Sequence, residues 1–123
     1  MKKVGICAVA QTAWERDAWH SRFQGLALEV VSSLREQTGL GFGGDDGIGM
    51  SISVSDDLFD ARTISDGAMT DVLGAHFGCE EKVAQEGAQA IYYATAAILS
   101  GHVDVAMVVG HCKESQSQSR DMV

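Results

Sequence analysis

The stretch EKVAQEGAQAIYYATAAILSGHVDVAMVVGH, residues 81–111, holds the residues with the clearest potential for chemistry. A short segment ends near Ala84, and an alanine-rich helix is predicted to begin a few residues later. The first turn of a helix lies at the positive end of the helix dipole, where a cysteine thiolate is stabilised as a nucleophile. Ala84 offers only a methyl group there, and Glu86 is an acid that suits a helix N-terminus. Taken alone, the stretch fits an ordinary packed helix start better than a site.

Glycines in GLGFGGDDGIG form the spacing G-x-G-x-x-G at Gly39, Gly41 and Gly44. A dinucleotide-binding fingerprint follows a strand and opens a helix, so that the pyrophosphate meets the helix N-terminus. These glycines instead follow a predicted helix and precede a predicted strand. The pattern therefore favours a helix C-cap and a turn over a phosphate site.

Acidic side chains and a His-Cys pair are the remaining candidates for ligand binding. The acids lack the spacing and the central glycine of a calcium loop, which favours helix caps and a solvated face: Asp56, Asp57, Asp60, Asp66 and Asp71. His111 and Cys112 are adjacent at the end of a predicted strand, so they point to opposite faces and cannot chelate one ion together. No metal site is predicted. A strand end still lies near the usual ligand crevice of an α/β sheet, so a site role and ordinary packing both stay open for His111 and Cys112.

The elements that must position these residues alternate between strands and helices. Periodicity and turn residues predict strands at 4–10, 48–54 and 103–109, and a short strand or strand-to-helix turn at 81–86. Between them, helices are predicted at 24–37, ended by Gly39, and at about 66–77, capped by Ser65. A buried helix is predicted at 88–100. This alternation predicts an α/β fold: a layered, mostly parallel sheet with helices on both faces.

Composition limits the classes of function. Seventeen acidic residues against nine basic ones give a net charge of −8, which disfavours a nucleic-acid partner. The apolar runs are too short to cross a membrane, and the N-terminus lacks a complete signal-peptide core, so we expect a cytoplasmic protein. Three widely spaced cysteines without a CxxC pair indicate reduced thiols: Cys7, Cys79 and Cys112.

A length of 123 residues fits one domain, with no repeat or linker to divide residues 1–123. The chain ends in ESQSQSRDMV, a polar run that carries no helix stop and no finishing strand. We therefore expect that the protein is truncated after Val123.

Several of these segments resemble the thiolase superfamily, in particular lipid-transfer-protein-type thiolases and acetyl-CoA acetyltransferase-like subunits. In that family a reactive cysteine opens a helix in a C-x-S-G-x-x-A frame, a G-x-x-D segment follows, and a later strand leads to a glycine turn and Glu-Ser. The corresponding segments here are AQEGAQA at 84–90, GHVD at 101–104 and GHCKES at 110–115, while VGICAVAQTAWERD at 4–17 is similar to the family's first strand and loop.

The resemblance implies that residues 1–123 form a partial N-terminal half-domain of the thiolase fold. It implies an acyl-CoA acyltransferase or lyase subunit that makes or breaks carbon–carbon bonds, with a coenzyme A thioester as substrate and no covalently bound cofactor. The substrate would be bound near Ala84, Gln85, Glu86, Gly87 and His111.

Two departures from the family weaken a catalytic role for this chain on its own. No catalytic residue is intact, because the nucleophile position holds Ala84 and the family's serine is Glu86. Cys79 lies five residues earlier without the glycine frame and is not a substitute. The histidines and the second cysteine that act as bases come from later segments of the family. We therefore expect that these 123 residues are inactive alone.

Alternative functions follow from the missing thiol. Some relatives act as aldolases or as partners of a small zinc-binding acyl-CoA-binding subunit, and these relatives do not need the cysteine. The resemblance also implies that the protein forms a homo- or hetero-oligomer. A second interpretation is a non-catalytic scaffold or assembly subunit of a thiolase-like complex. A third is a small stand-alone flavodoxin-like ligand-binding domain, which lacks a convincing phosphate loop.

Overall fold

The computed structural model describes residues 2–56, 66–84 and 86–113. Its elements, in chain order, are α1 (Phe23–Thr38), β1 (Met50–Ser55), α2 (Asp66–Met69), a 3-10 turn (Ala75–Phe77), β2 (Cys79–Ala84), α3 (Gly87–Leu99) and β3 (Ala106–Gly110).

The three strands form one parallel sheet with the order β2-β1-β3. Met50 of β1 is in register with Cys79 on one side and with Ala106 on the other. Every residue of β1 is buried, as expected for the central strand of a parallel sheet that is covered on both faces.

Different helices cover the two faces of the sheet. On one face, Ala27 and Val31 of α1 belong to a buried cluster that includes Val109 of β3. On the opposite face, Ala90 and Ala94 of α3 pack in a second cluster with alternate side chains of β1: Met50, Ile52 and Val54. The predicted α/β architecture, a layered parallel sheet between helices, is confirmed.

Helix α1 ends where the glycine pattern predicted. Gly39 has the left-handed backbone that glycine tolerates, with φ of 72°, and its N–H donates to Arg35 O at 2.7 Å. The glycines after it form a turn in which the Ile48 N–H donates to Gly41 O at 2.9 Å, and β1 follows directly. The predicted cap and turn are confirmed.

The predicted first strand at residues 4–10 is absent from the structure. Residues 4–10 form no ladder with any described strand, and the described pairing of β3 is with β1 alone. Ile6 and Val9 are consequently 75% and 74% exposed. An apolar run identified a segment able to form a strand, but it could not say which neighbour the segment would have.

The predicted helix at 66–77 is also much shorter than expected. After the single turn of α2, the chain passes through turns to the 3-10 turn, and Gly74 has a left-handed backbone with φ of 62°. Packing of the Phe42 ring against Gly74 fixes this break. The predicted cap, Ser65, lies outside the described residues.

Helix α3 matches its predicted bounds, but its burial differs from the prediction. Ala90 and Ala94 are buried, whereas the larger side chains of Ile91, Tyr92 and Leu99 are 49%, 79% and 50% exposed. Only the stripe of small side chains faces the sheet, because a close helix-to-sheet approach leaves no room for larger ones. Within the described residues, no helix combines the length and the apolarity that crossing a membrane requires.

Candidate functional site

The carboxyl ends of the three parallel strands meet at one edge of the sheet. Ser55, the last residue of β1, is in register with Ala84, the last residue of β2. After β3, the His111 N–H donates to Val54 O at 2.9 Å, which continues the ladder by one residue. The fold thus brings Ser55, Ala84 and His111 to the edge where ligands bind in open α/β sheets. We call this region the carboxyl edge.

Helix α3 begins beside Ala84. The Glu86 N–H donates to Ala84 O at 2.8 Å, and the helix starts at Gly87, so only two residues separate β2 from α3. Ala84, Glu86 and Gly87 are exposed, and the side chain of Glu86 makes no cap hydrogen bond. The positive end of the α3 dipole therefore opens toward the carboxyl edge.

Three serines of β1 form a buried polar face that leads to the carboxyl edge. The Ser51 hydroxyl donates to Leu73 O at 2.8 Å, and Lys82 Nζ donates to Ser55 Oγ at 2.6 Å. Ser53 is fully buried, and its hydroxyl has no hydrogen-bond partner among the described residues. The alternation of serines in β1 indicated a face of small side chains, but the Lys82 contact depends on strand pairing and was missed.

His111 borders a cavity of about 180 Å³ that lies between α1, β3 and residues 10–12. The His111 ring is half-buried, and its centroid lies 5.1 Å from that of Phe23. Gln11 and Thr12 line the cavity from the N-terminal side, and Cys112 lines it near the surface. A histidine that borders a space of this size can donate or accept a hydrogen bond with a small polar ligand.

Lys113 anchors the chain after His111. Its side chain is buried, and its Nζ donates to the backbone oxygen of Ser21, just before α1. This contact ties the segment after β3 to the start of α1 and thereby holds His111 against Phe23. Sequence reasoning missed Lys113, because a lone lysine near a polar tail gives no sign of burial.

The structure brings together some of the predicted site residues but not all of them. Ala84 and His111 share the carboxyl edge, with Glu86 and Gly87 next to Ala84. Ala84 does not line the cavity beside His111, and Gln85 lies outside the described residues.

Cys79 lies at the opposite end of β2 from Ala84, with its Sγ 3.5 Å from His102 Nε2. Among the described residues no group of three or more His, Cys, Asp or Glu side chains could hold a metal ion, and Asp57 and Asp60 lie outside them.

A polar pair flanks α3 on the other face of the sheet. Tyr93 donates its hydroxyl hydrogen to Glu81 Oε1 at 3.2 Å. The negative charge of Glu81 and this hydrogen bond raise the pKa of Tyr93 above its ordinary value. This hydrogen bond links α3 to β2.

Comparison with models of known protein families gives no match, and comparison with curated proteins gives none either.

Proposed function

We propose that this chain is the N-terminal part of a thiolase-like subunit that binds an acyl-CoA thioester and takes part in making or breaking a carbon–carbon bond. The observation that carries the proposal is the junction between β2 and α3: Ala84 ends a parallel strand at the carboxyl edge, and a helix N-terminus opens two residues later. This is the position that the sequence frame AQEGAQA assigns to the nucleophile of the family.

The chemistry available at this junction is binding rather than covalent catalysis. A methyl group forms no acyl intermediate, whereas the first N–H groups of α3 have no acceptor within the helix and can donate to a thioester oxygen. His111, across β1 from Ala84, supplies a second polar group at the same edge. In this proposal, Ala84, Gln85, Glu86, Gly87 and His111 bind the substrate.

Turnover then needs groups that residues 84–87 and His111 do not supply. Later segments of a longer subunit, or a small zinc-binding acyl-CoA-binding partner in a homo- or hetero-oligomer, would provide the missing acid and base. The proposal includes no nucleic-acid partner, because the net charge of −8 disfavours one, and it includes a cytoplasmic location.

Restoring the missing thiol with Ala84→Cys tests whether the junction is an activating environment. We expect the pKa of the new thiol to fall below the ordinary value of about 8.5, because the α3 dipole stabilises the thiolate. The measurement is the rate of alkylation by iodoacetamide against pH, with labelled peptides identified by mass spectrometry. Since the Glu86 carboxylate opposes thiolate formation, adding Glu86→Ser should lower this pKa further.

Ala96→Cys is the matched control, since Ala96 is exposed in the last turn of the same helix, away from the positive end of the helix dipole. If the thiol introduced by Ala84→Cys titrates like the thiol introduced by Ala96→Cys, the junction activates no thiol, and the proposal loses its main support.

A scaffold or assembly role is the second candidate, and the outer face of α3 favours it. The sequence of α3, GAQAIYYATAAIL, contains no charged residue, and Ile91, Tyr92 and Leu99 are exposed on it. Such a face normally packs against another protein surface. We expect the wild-type chain to sediment as an oligomer and the double variant Tyr92→Ser, Leu99→Ser to sediment as a monomer. A monomeric wild-type chain at high concentration would argue against assembly through α3.

A further inference from the structure

The polar face of β1 ends in a serine that is in direct contact with a lysine of β2. Lys82 Nζ donates to Ser55 Oγ at 2.6 Å. As an ammonium group Lys82 is only a donor, but as a neutral amine it can accept the hydroxyl proton of Ser55. A hydroxyl within hydrogen-bond reach of a base is the arrangement that activates a serine nucleophile, and serine–lysine pairs perform acyl transfer in this way. The contact therefore has the composition of a nucleophile and its base.

Strand register places Ser55 between two residues of the proposed substrate site. On one side, Ser55 is in register with Ala84 of β2. On the other side, Val54 is in register with Gly110 and accepts from the His111 N–H, so His111 lies beside Ser55. In-register residues of parallel strands point to the same face, and neighbouring strands are about 4.8 Å apart. The Ser55 hydroxyl thus lies about one strand spacing from the position where the family resemblance places a nucleophile.

Burial differs sharply between Ser55 and its neighbour in β2. Ser55 is 4% exposed and Lys82 is half-buried, so their contact is held away from bulk water. Ala84, in contrast, is exposed, and its methyl group takes up little room beside Ser55. Ala84 cannot form a bond to an acyl group, but it leaves an approach to a side chain that can.

Ser53 is a second hydroxyl on the same face and is in register with Lys82. It is fully buried, and its hydroxyl has no hydrogen-bond partner among the described residues. A buried hydroxyl without a partner is costly, and such groups are uncommon unless they have a role. An acyl group on Ser55 would take away the hydroxyl that Lys82 contacts. Ser53 then offers Lys82 another acceptor on the same face.

Building on the thioester site proposed above, we propose that Ser55 is the acyl acceptor of the carboxyl edge, in place of the missing thiol, and that Lys82 is its general base. The neutral amine of Lys82 takes the hydroxyl proton while Ser55 Oγ bonds to the carbonyl carbon of the thioester. The carbon–sulfur bond breaks, and the departing thiolate takes the proton from Lys82. The products are an acyl ester on Ser55 and a free thiol, so the step needs no further reactant.

Acetylation of the full 123-residue chain by p-nitrophenyl acetate tests the nucleophile without requiring recognition of coenzyme A. We expect an acetyl group on Ser55, located by peptide mass spectrometry, at a rate that falls as pH falls, because only the neutral amine accepts a proton. Ser55→Ala should abolish this acetylation. Ser51→Ala is the matched control and should retain it, because the Ser51 hydroxyl faces the same side of the sheet but donates to Leu73 O.

Lys82→Arg separates a base from a structural cation. Arginine keeps the positive charge and can donate to Ser55 Oγ, but its guanidinium group does not lose a proton in proteins. We expect acetylation of Ser55 to be about 100-fold slower in both Lys82→Arg and Lys82→Met, with the fold of each variant checked by backbone NMR. Acetylation of Ser55 in Lys82→Arg at the wild-type rate would overturn the role of Lys82 as a base. Acetyl groups on Lys82 of the wild type, with none on Ser55, would overturn the role of Ser55 as the acceptor.

Acetyl-CoA as a second donor distinguishes this inference from the proposed thioester site. We expect acetyl-CoA to acetylate Ser55 as p-nitrophenyl acetate does. Acetylation of Ser55 by p-nitrophenyl acetate, with no binding of acetyl-CoA detected by NMR, would overturn the thioester as donor and keep Ser55 as a nucleophile. Binding of acetyl-CoA at the carboxyl edge, with no acetylation of Ser55 by either donor, would overturn the present inference and leave the thioester site standing.

Discussion

The contact between Tyr93 and Glu81 makes a prediction at the scale of single residues. Ionising Tyr93 places a second negative charge beside Glu81, so the pKa of Tyr93 is raised in the folded chain. The stabilising effect is fully present below the ordinary tyrosine pKa of about 10 and is lost as pH rises through the higher folded-state pKa. We expect Glu81→Gln to lower the pKa of Tyr93, measured by the ultraviolet absorbance of the phenolate.

Tyr93→Phe assigns the signal, because the chain has two tyrosines. The higher of the two titration midpoints should disappear in Tyr93→Phe, which assigns it to Tyr93. If that midpoint persists in Tyr93→Phe, or if it does not move in Glu81→Gln, then Glu81 does not raise the pKa of Tyr93.

Two serines of β1 that face the same side of the sheet should respond differently to the same substitution. Ser53→Ala removes a buried hydroxyl that has no partner among the described residues, and we expect the free energy of unfolding to rise by about 1 kcal/mol or to stay constant. Ser51→Ala leaves Leu73 O without its donor and should lower the free energy of unfolding by about 1 kcal/mol. Urea unfolding of both variants measures the difference. Equal destabilisation by the two substitutions would show that Ser53 has an acceptor after all.

At the scale of elements, the break after α2 depends on Gly74. Alanine at this position must adopt a left-handed backbone, and its Cβ meets the Phe42 ring. Gly101→Ala is the matched control, because Gly101 has φ of 79° with open space around it. We expect Gly101→Ala to cost about 1–2 kcal/mol from the backbone alone, and Gly74→Ala to cost about 1–3 kcal/mol more. Thermal or urea unfolding gives both values, and equal costs would mean that Phe42 moves away without penalty.

The elements that sequence analysis predicted well are those specified by local signals. Helix α1 has an apolar stripe and a glycine C-cap, and β1 has strict alternation, so each carries its own pattern. The segment 4–10 and the region 66–77 were predicted incorrectly because their conformation depends on distant partners. Residues 4–10 form no ladder with any described strand, and packing of Phe42 against Gly74 breaks the predicted helix in the second region.

At the scale of the whole molecule, parallel strands explain why residues far apart in sequence share one edge. Ser55, Ala84 and His111 come together because β1, β2 and β3 run in the same direction and end at matching register positions. Sequence analysis grouped Ala84 with His111 only through the family resemblance, because it could not predict the order of the strands. Neither the burial of Lys113 nor the contact between Lys82 and Ser55 could be predicted, since both depend on the register and on helix packing.

Binding of acetyl-CoA by the chain tests the proposed thioester site most directly. Titration to about 1 mM, the upper end of ordinary substrate constants, should shift the backbone NMR signals of Ala84, Gly87 and His111. The signals of Cys79 and Gly101, which lie at the opposite end of the sheet and of α3, should stay in place. Unchanged signals at Ala84, Gly87 and His111, or shifts confined to the opposite end, would contradict a thioester site at the carboxyl edge.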